Sequence, residues 1–195
     1  RSIELIIAGS KELVEKNMIR SSEGNISVRL NSDQFLISAS GLELAYATEK
    51  DFVEVDFQGG YSSDIIPSSE WRFHRDIYIN RSEVNVIIHT HSEYAATLSV
   101  LREDLPAFHY MIAIAGGNSV RCAPYQVFGS AELSDVVVCA LRDRKACLMS
   151  NHGLIATGST LKEAMSVAIT GVLGRLLALS IWGAASESIR RRRGC

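Results

Sequence analysis

Val84-Asn85-Val86-Ile87-Ile88-His89-Thr90-His91 is an apolar run that closes on two histidines. Its β-branched residues predict a buried strand. Successive side chains on a strand alternate faces, so His89 and His91 share one face with Asn85 and Ile87, and Val84, Val86 and Ile88 take the other. The two imidazoles therefore arrive together at the mouth of the strand. Such a pair is half of a metal site, because a catalytic zinc centre takes three protein ligands and keeps a position for water or substrate. On counting grounds the third ligand is open between His74, His109 and His152. Taken alone, two histidines on a strand are more often hydrogen-bonded core or surface residues than ligands.

On the amino-terminal side, Ile3, Ile6, Ile7, Leu13, Val14 and Met18 recur at helical spacing and predict an amphipathic helix ending near residues 17–19. Ile26-Ser27-Val28-Arg29-Leu30 and Gln34-Phe35-Leu36-Ile37-Ser38, joined by Asn31-Ser32-Asp33, read as an antiparallel hairpin. Phe52-Val53-Glu54-Val55-Asp56 reads as a third strand before a turn at Gly59-Gly60. Pro67-Ser68-Ser69-Glu70 reads as a helix start in which a serine accepts from the first-turn N–H groups, with Trp71, Ile77 and Tyr78 following. Glu70 then sits at the beginning of that helix.

On the carboxy-terminal side, residues 92–101 and 130–141 read as helices. Cys147-Leu148-Met149-Ser150 and Leu154-Ile155-Ala156 read as a hairpin whose turn holds Asn151-His152-Gly153. Thr160-x-x-Glu163 is a capping-box pattern opening an apolar helix through Met165, Val167, Ile169, Val172, Leu176 and Leu179. Strands joined by tight turns and interleaved with helices predict an α/β fold, one largely antiparallel sheet covered on both faces.

With 195 residues, 47% hydrophobic and 22% charged, the chain has the size and composition of a single domain over residues 1–195. A net charge of −2 points to no nucleic-acid and no membrane partner, and a small soluble substrate fits better. Cys122, Cys139, Cys147 and Cys195 form no C-x-x-C pair, which predicts free thiols in a reducing, cytoplasmic setting. No stretch approaches the apolar length that spans a bilayer, and Arg1-Ser2-Ile3-Glu4 lacks a signal peptide's apolar core. The first residue is not Met, so trimming at that end is expected.

Several segments in order carry a resemblance: Ser68-Ser69-Glu70-Trp71-Arg72-Phe73-His74, the strand ending in His89-Thr90-His91, His109-Tyr110-Met111-Ile112-Ala113, Ala115-Gly116-Gly117-Asn118-Ser119, Cys122-Ala123-Pro124-Tyr125 and His152-Gly153-Leu154-Ile155-Ala156. Together, from about Gly24 to about Leu177, they resemble the class II aldolase/epimerase family, and within it the aldolases of L-fuculose 1-phosphate. The resemblance implies a three-layer α/β/α sandwich, a Zn2+ cofactor, and a homotetramer with active sites at subunit interfaces. It makes His89, His91 and His152 the zinc ligands and Glu70 the acid/base. The implied reaction splits L-fuculose 1-phosphate, or a similar deoxyketose 1-phosphate, into dihydroxyacetone phosphate and a small aldehyde such as L-lactaldehyde.

By the same resemblance the substrate phosphate lies against Gly24-Asn25, Ser40-Gly41 and Ser68-Ser69, which offer backbone N–H groups and hydroxyls without a cationic side chain. Their ordinary alternative is three polar turns. Tyr110 matches a tyrosine that reaches a neighbouring subunit's site and helps protonate the aldehyde oxygen, and Phe128 matches an aromatic position on the aldehyde side, where core packing is the alternative. Without the resemblance, Glu70 reads as a first-turn glutamate favoured by the helix dipole.

Two features depart from the family pattern. Ser22-Glu23 precede Gly24-Asn25 where small uncharged residues are usual, and a glutamate pointing inward weakens anion binding. Arg190-Arg191-Arg192-Arg193-Gly194-Cys195 closes the chain where the family carries a segment that supplies another tyrosine to a neighbouring site, and a solvated tail is the default reading. The alternatives within the family are a pentulose-phosphate 4-epimerase, disfavoured because those relatives usually carry aspartate in place of Glu70, and a sugar-phosphate dehydratase. A non-catalytic assembly module, like cytoskeletal head domains that lose the metal ligands, is the alternative of another class.

Overall fold

The computed structural model describes residues 2–107 and 110–171. Strands β1 (Asn25–Arg29), β2 (Gln34–Ser38), β3 (Phe52–Asp56), β4 (Val86–Thr90), β5 (Leu105–Pro106), β6 (Ser119–Ala123), β7 (Ala146–Met149) and β8 (Gly153–Gly158) form one sheet in the order β3-β2-β1-β4-β8-β7-β6-β5. Every pairing is antiparallel except β6 with β7, which is parallel. The α-helices are α1 (Ser2–Glu15), α2 (Trp71–Asn80), α3 (Glu93–Ser99), α4 (Ala131–Ala140) and α5 (Leu161–Gly171). His109 and the carboxy-terminal arginine run lie outside the described residues, as do Val172, Leu176 and Leu179 of the expected long helix.

The alternation expected of β4 is met, and it divides the core into two layers. Val86 and Ile88 pack with Ile26, Val28, Leu154 and Ala156 against α1, α3 and α5. Ile87 packs with Ile155, Phe73, Ile77 and Val137 on the side of α2 and α4. Helices on both faces make the three-layer α/β/α arrangement. Val84 is a correction: it precedes the strand in a turn to Arg81 O, and its side chain joins the Ile87 layer rather than that of Val86 and Ile88.

Because both faces are covered, the polar residues alternating along β1 are buried too. Ser27 is fully enclosed, and Asn25 nearly so, on the α2 side. Burial of such groups is tolerable only with hydrogen-bond partners, and α2 supplies them.

The ends of α1, α4 and α5 obey local rules. Asn17, at φ 55°, ends α1: its N–H reaches Val14 O (2.9 Å) and that of Met18 reaches Leu13 O (2.9 Å). Ser130 Oγ accepts from Leu133 N–H at the start of α4. At α5 Thr160 Oγ1 accepts from Glu163 N–H, while the Glu163 carboxylate takes Ser159 N–H (2.7 Å) instead of the residue that a capping box uses. Ser92 at the N-cap of α3 makes no side-chain cap bond, and α2 departs further. Ser68 Oγ accepts from Glu70 N–H (3.3 Å), ahead of the helix, and Glu70 stands at the N-cap with no side-chain cap bond. Its carboxylate is used elsewhere.

Two strands were not expected. β6 (Ser-Val-Arg-Cys-Ala) has little apolar alternation, and β5 is two residues long. No helix among the described residues is long and apolar enough to cross a membrane.

Candidate metal centre

Sheet register places the first histidine. His89 of β4 lies opposite Asn25 of β1 and Ile155 of β8. Its ring stands on the α2 side, edge-on to Phe73 at 5.7 Å between centroids. Gly24 lets the loop before β1 reach this point: at φ +75° it holds a conformation that side chains resist, and a Cβ would lie 2.5 Å from His89 O. His91 follows just after the strand.

His152 comes from the β7–β8 turn, which the end of α3 grips. Ser99 O accepts from Asn151 N–H (3.0 Å) and Ser99 Oγ from His152 N–H (3.1 Å). Arg102 Nε donates to Asn151 Oδ1 (2.8 Å). Asn151 takes φ 56°, which asparagine tolerates better than most residues. The next residue, Gly153, lies so close to the Thr90 carbonyl oxygen that any Cβ would run into it.

Each of the three histidines contributes a ring nitrogen within 4.8 Å of the others. The ring centroids are 4.7, 4.9 and 4.8 Å apart, and each pair of rings is steeply inclined. His74, open as a ligand on counting grounds, is excluded by its bonds. It is fully buried, with Nε2 on Asn25 Oδ1 (2.6 Å) and Nδ1 on Ser27 Oγ (2.7 Å), so both nitrogens are committed.

Bond directions show what the cluster lacks. His89 Nδ1–H donates to Leu154 O (3.0 Å), which leaves the lone pair on Nε2. That nitrogen faces His91 Nε2 at 3.0 Å and Glu70 Oε2 at 3.1 Å. His152 Nε2 stands 3.3 Å from Glu70 Oε1, an oxygen that is buried and has no hydrogen-bond partner among the described residues. Lone pairs and a carboxylate aimed at one small volume repel one another unless a cation lies between them.

The protonation states agree with that requirement. Burial works to raise the Glu70 pKa, but the charge and hydrogen bond of His89, with help from His152 and Asn25, hold the carboxyl well below its usual range. Burial works to lower the His89 pKa, and the charge and hydrogen bond of Glu70 outweigh it and raise it, the response of an imidazole that faces a carboxylate with no cation between them. Burial, aided by His89, pushes His91 and His152 down to about 4, so both are neutral at pH 7 and have lone pairs to give. Neutral imidazoles beside a carboxylate are a donor set for a divalent ion of the zinc type, and the residues present fit one.

A cavity of about 420 Å³ opens onto this cluster. Its lining includes Gly24, Asn25, Ser40, Gly41, Ser68, Ser69, Glu70, His91, His152 and Phe128, so segments far apart in sequence meet around one space. Glu23 lines it too, and no lysine or arginine does among the described residues. Two donors of the expected phosphate cradle are already occupied: Ser40 N–H bonds Ile66 O and Ser68 N–H bonds Ser38 O. Phe128 is 67% exposed at the rim, which rules out core packing. Tyr110 is 82% exposed on a 3-10 turn and is not among the residues lining this cavity. Asn151, Tyr125 and Gln126 also line it, and the sequence pattern assigned none of them a role in the site. Adjacency of Asn151 to His152 was the available signal.

The family described as Class II Aldolase and Adducin N-terminal domain matches residues 4–172. The 5-methylthioribulose-1-phosphate/5-deoxyribulose-1-phosphate aldolase of Rhodospirillum rubrum is 43% identical over 164 residues, covering 84% of this chain and 74% of that protein. The L-fuculose phosphate aldolase of Escherichia coli K12 is 42% identical over 163 residues, covering 84% and 75%. Among solved structures, an L-fuculose 1-phosphate aldolase superposes with a TM-score of 0.87 at 35% identity, over 92% of this chain and 85% of that one.

Proposed function

The chain belongs to the class II aldolase and adducin N-terminal domain family, as an aldehyde-lyase, and on that premise we propose that it cleaves a deoxyketose 1-phosphate to dihydroxyacetone phosphate and a small aldehyde with zinc as cofactor. The observation that carries this reading is the meeting of His89, His91 and His152 with the buried Glu70 carboxylate at the floor of one cavity. L-Fuculose 1-phosphate is the substrate we favour, with 5-deoxyribulose 1-phosphate beside it. Both give dihydroxyacetone phosphate when the C3–C4 bond breaks, so the same floor serves either.

In this reading His89, His91 and His152 hold the ion, which when bound supplies Lewis-acid charge for the carbonyl and hydroxyl oxygens of the ketose. Glu70 moves the proton at C3, delivering it to the enediolate after cleavage and removing it in the condensation direction. Its Oε1, which has no hydrogen-bond partner among the described residues, is the oxygen placed to do so. The phosphate rests on the small polar segments around Gly24, Asn25, Ser40, Gly41, Ser68 and Ser69, with the Ser68 and Ser69 hydroxyls and the neighbouring start of α2 facing it. Phe128 borders the aldehyde end. Tyr110, outside its own chain's cavity, serves a neighbouring subunit's site in a homotetramer. A cytoplasmic setting suits the free thiols of Cys122, Cys139 and Cys147.

Glu70→Gln tests the assignment. The variant should keep its zinc and lose proton exchange at dihydroxyacetone phosphate by about 10²–10⁴-fold. Unchanged exchange would remove Glu70 from the role. A cleavage assay across several ketose 1-phosphates, with the products identified, selects the sugar.

A further inference from the structure

The Glu70 carboxylate is the last link of a hydrogen-bonded chain buried between β1 and α2. Asn25 Nδ2 donates to Glu70 Oε2 (2.9 Å), and His74 Nε2 meets Asn25 Oδ1 (2.6 Å). Ser27 Oγ meets both His74 Nδ1 and the Tyr78 hydroxyl, at 2.7 Å each. Asn25 and Ser27 alternate on one face of β1, and His74 and Tyr78 are four residues apart on one face of α2. Neither pair is ordinary core filling. A strand and a helix each present two polar groups inward, 45 or more residues apart in sequence, and every group finds a partner.

The direction of each bond follows from the carboxylate. An ionised carboxylate only accepts, so Asn25 turns its amide N–H towards Glu70 and its carbonyl towards His74. His74 must then carry its proton on Nε2. Burial pushes this ring down to about 3, so it is neutral and its Nδ1 accepts from the Ser27 hydroxyl. The Ser27 oxygen in turn accepts from Tyr78. The chain runs one way, from Tyr78 to Glu70, and its amide link does not relay protons. It holds a geometry rather than conducting charge.

The geometry points to His74 as a positioning residue for the Glu70 carboxylate, acting through Asn25. With Oε2 tied to Asn25 and standing 3.1 Å from His89 Nε2, the carboxylate cannot swing back to cap its own helix, and Oε1 is left facing His152. One Nδ2–H of Asn25 is committed to Glu70 and its Oδ1 to His74, which leaves the second Nδ2–H and the backbone for a substrate. This inference rests on the reading of Glu70 as the acid/base.

The test uses the zinc-loaded protein. His74→Phe keeps a ring to stack on Phe73, 4.7 Å away between centroids, but has no N–H for Asn25. His74→Gln keeps an amide donor within reach of it. We expect His74→Phe to lower kcat for cleavage and for proton exchange at dihydroxyacetone phosphate by about tenfold or more, with KM and bound zinc unchanged. His74→Gln should recover most of that loss. A His74→Phe enzyme within about twofold of wild type, a His74→Gln enzyme no better than His74→Phe, or zinc lost along with kcat would each overturn the proposal. Ring-nitrogen NMR of the wild-type chain gives a readout that needs neither a variant nor turnover. His74 should be the neutral Nε2–H tautomer at pH 7, and the Nδ1–H tautomer would overturn the relay. A wild-type enzyme inert towards every ketose 1-phosphate would instead sink the aldolase reading, and the tautomer would still decide the bonds of His74.

Discussion

The floor and the rim of the same cavity are built on opposite principles. At the floor, Asn25, Glu70 and His89 are held by strand register, by a helix start and by hydrogen bonds among themselves, and all three are buried. At the rim, Tyr125 and Phe128 are 58% and 67% exposed on the segment before α4. Preorganised groups of fixed charge suit a step common to several substrates, namely polarising a carbonyl and moving one proton. An exposed aromatic rim suits the part of the substrate that differs.

The harshest way to break the floor is to remove a ligand. His89→Ala should lose zinc and activity together, with activity falling by more than about a thousandfold, measured by metal content alongside the cleavage assay. Full metal content in this variant would mean that His89 is not a ligand.

Next comes the buried ring that supports the floor. His74 has its pKa pushed from an ordinary 6.5 down to about 3 by burial. The unfolded chain therefore takes up a proton near pH 6.5 that the native ring refuses until about pH 3. Stability is fully present above the unfolded value and is lost as pH falls. Between pH 7.5 and pH 5 the loss should be about 2 kcal/mol. Urea unfolding of zinc-free protein at both pH values, compared with His74→Gln, isolates it, because His91 and His152 titrate in both proteins. Equal pH dependence in the two would show that His74 is not held neutral in the native state.

The sequence exposed the floor unevenly. Alternation along residues 84–91 revealed β4 and its two histidines, and the apolar runs around Asn151-His152-Gly153 revealed the hairpin that brings the third. What local pattern does not carry is pairing across distance. His74 stood as a candidate ligand until its partners, Asn25 and Ser27, were seen 49 and 47 residues away. Ser27 carried no signal of its own, because alternation along a strand does not reveal which distant side chains a polar position meets. β6 was missed for a related reason. Its stability comes from a parallel neighbour, β7, and from cover by α4, not from its own Ser-Val-Arg-Cys-Ala pattern. Glu70 was readable as a helix start, but its missing cap bond was not. A helix that gives up a cap so that its carboxylate can face three histidines breaks a local rule for the sake of the site.

A milder probe of the floor is the grip of α3 on the His152 turn. Ser99→Ala removes one of the two acceptors of His152 N–H, the other being Met149 O (3.0 Å), and leaves the bond from Asn151 N–H to Ser99 O intact. Zinc affinity, measured by chelator competition, should weaken by about tenfold, the low end for groups that orient a ligand. Unchanged affinity would show that Gly153 and Arg102 hold the turn without Ser99.

The smallest expected effect lies at the rim, and it decides whether floor and rim are separable. Phe128→Ala removes apolar surface that is already largely exposed, so little stability is at stake. What it should cost is contact with the far end of the sugar. kcat/KM for cleavage is expected to fall by about fivefold, more for a substrate with a larger aldehyde half, while proton exchange at dihydroxyacetone phosphate stays at the wild-type rate. Exchange needs Glu70 and the ligand cluster but no aldehyde, so it reports the floor alone. If exchange falls in step with cleavage, Phe128 shapes the half of the cavity that holds the phosphate and the enediolate, and the division into a catalytic floor and a discriminating rim is wrong.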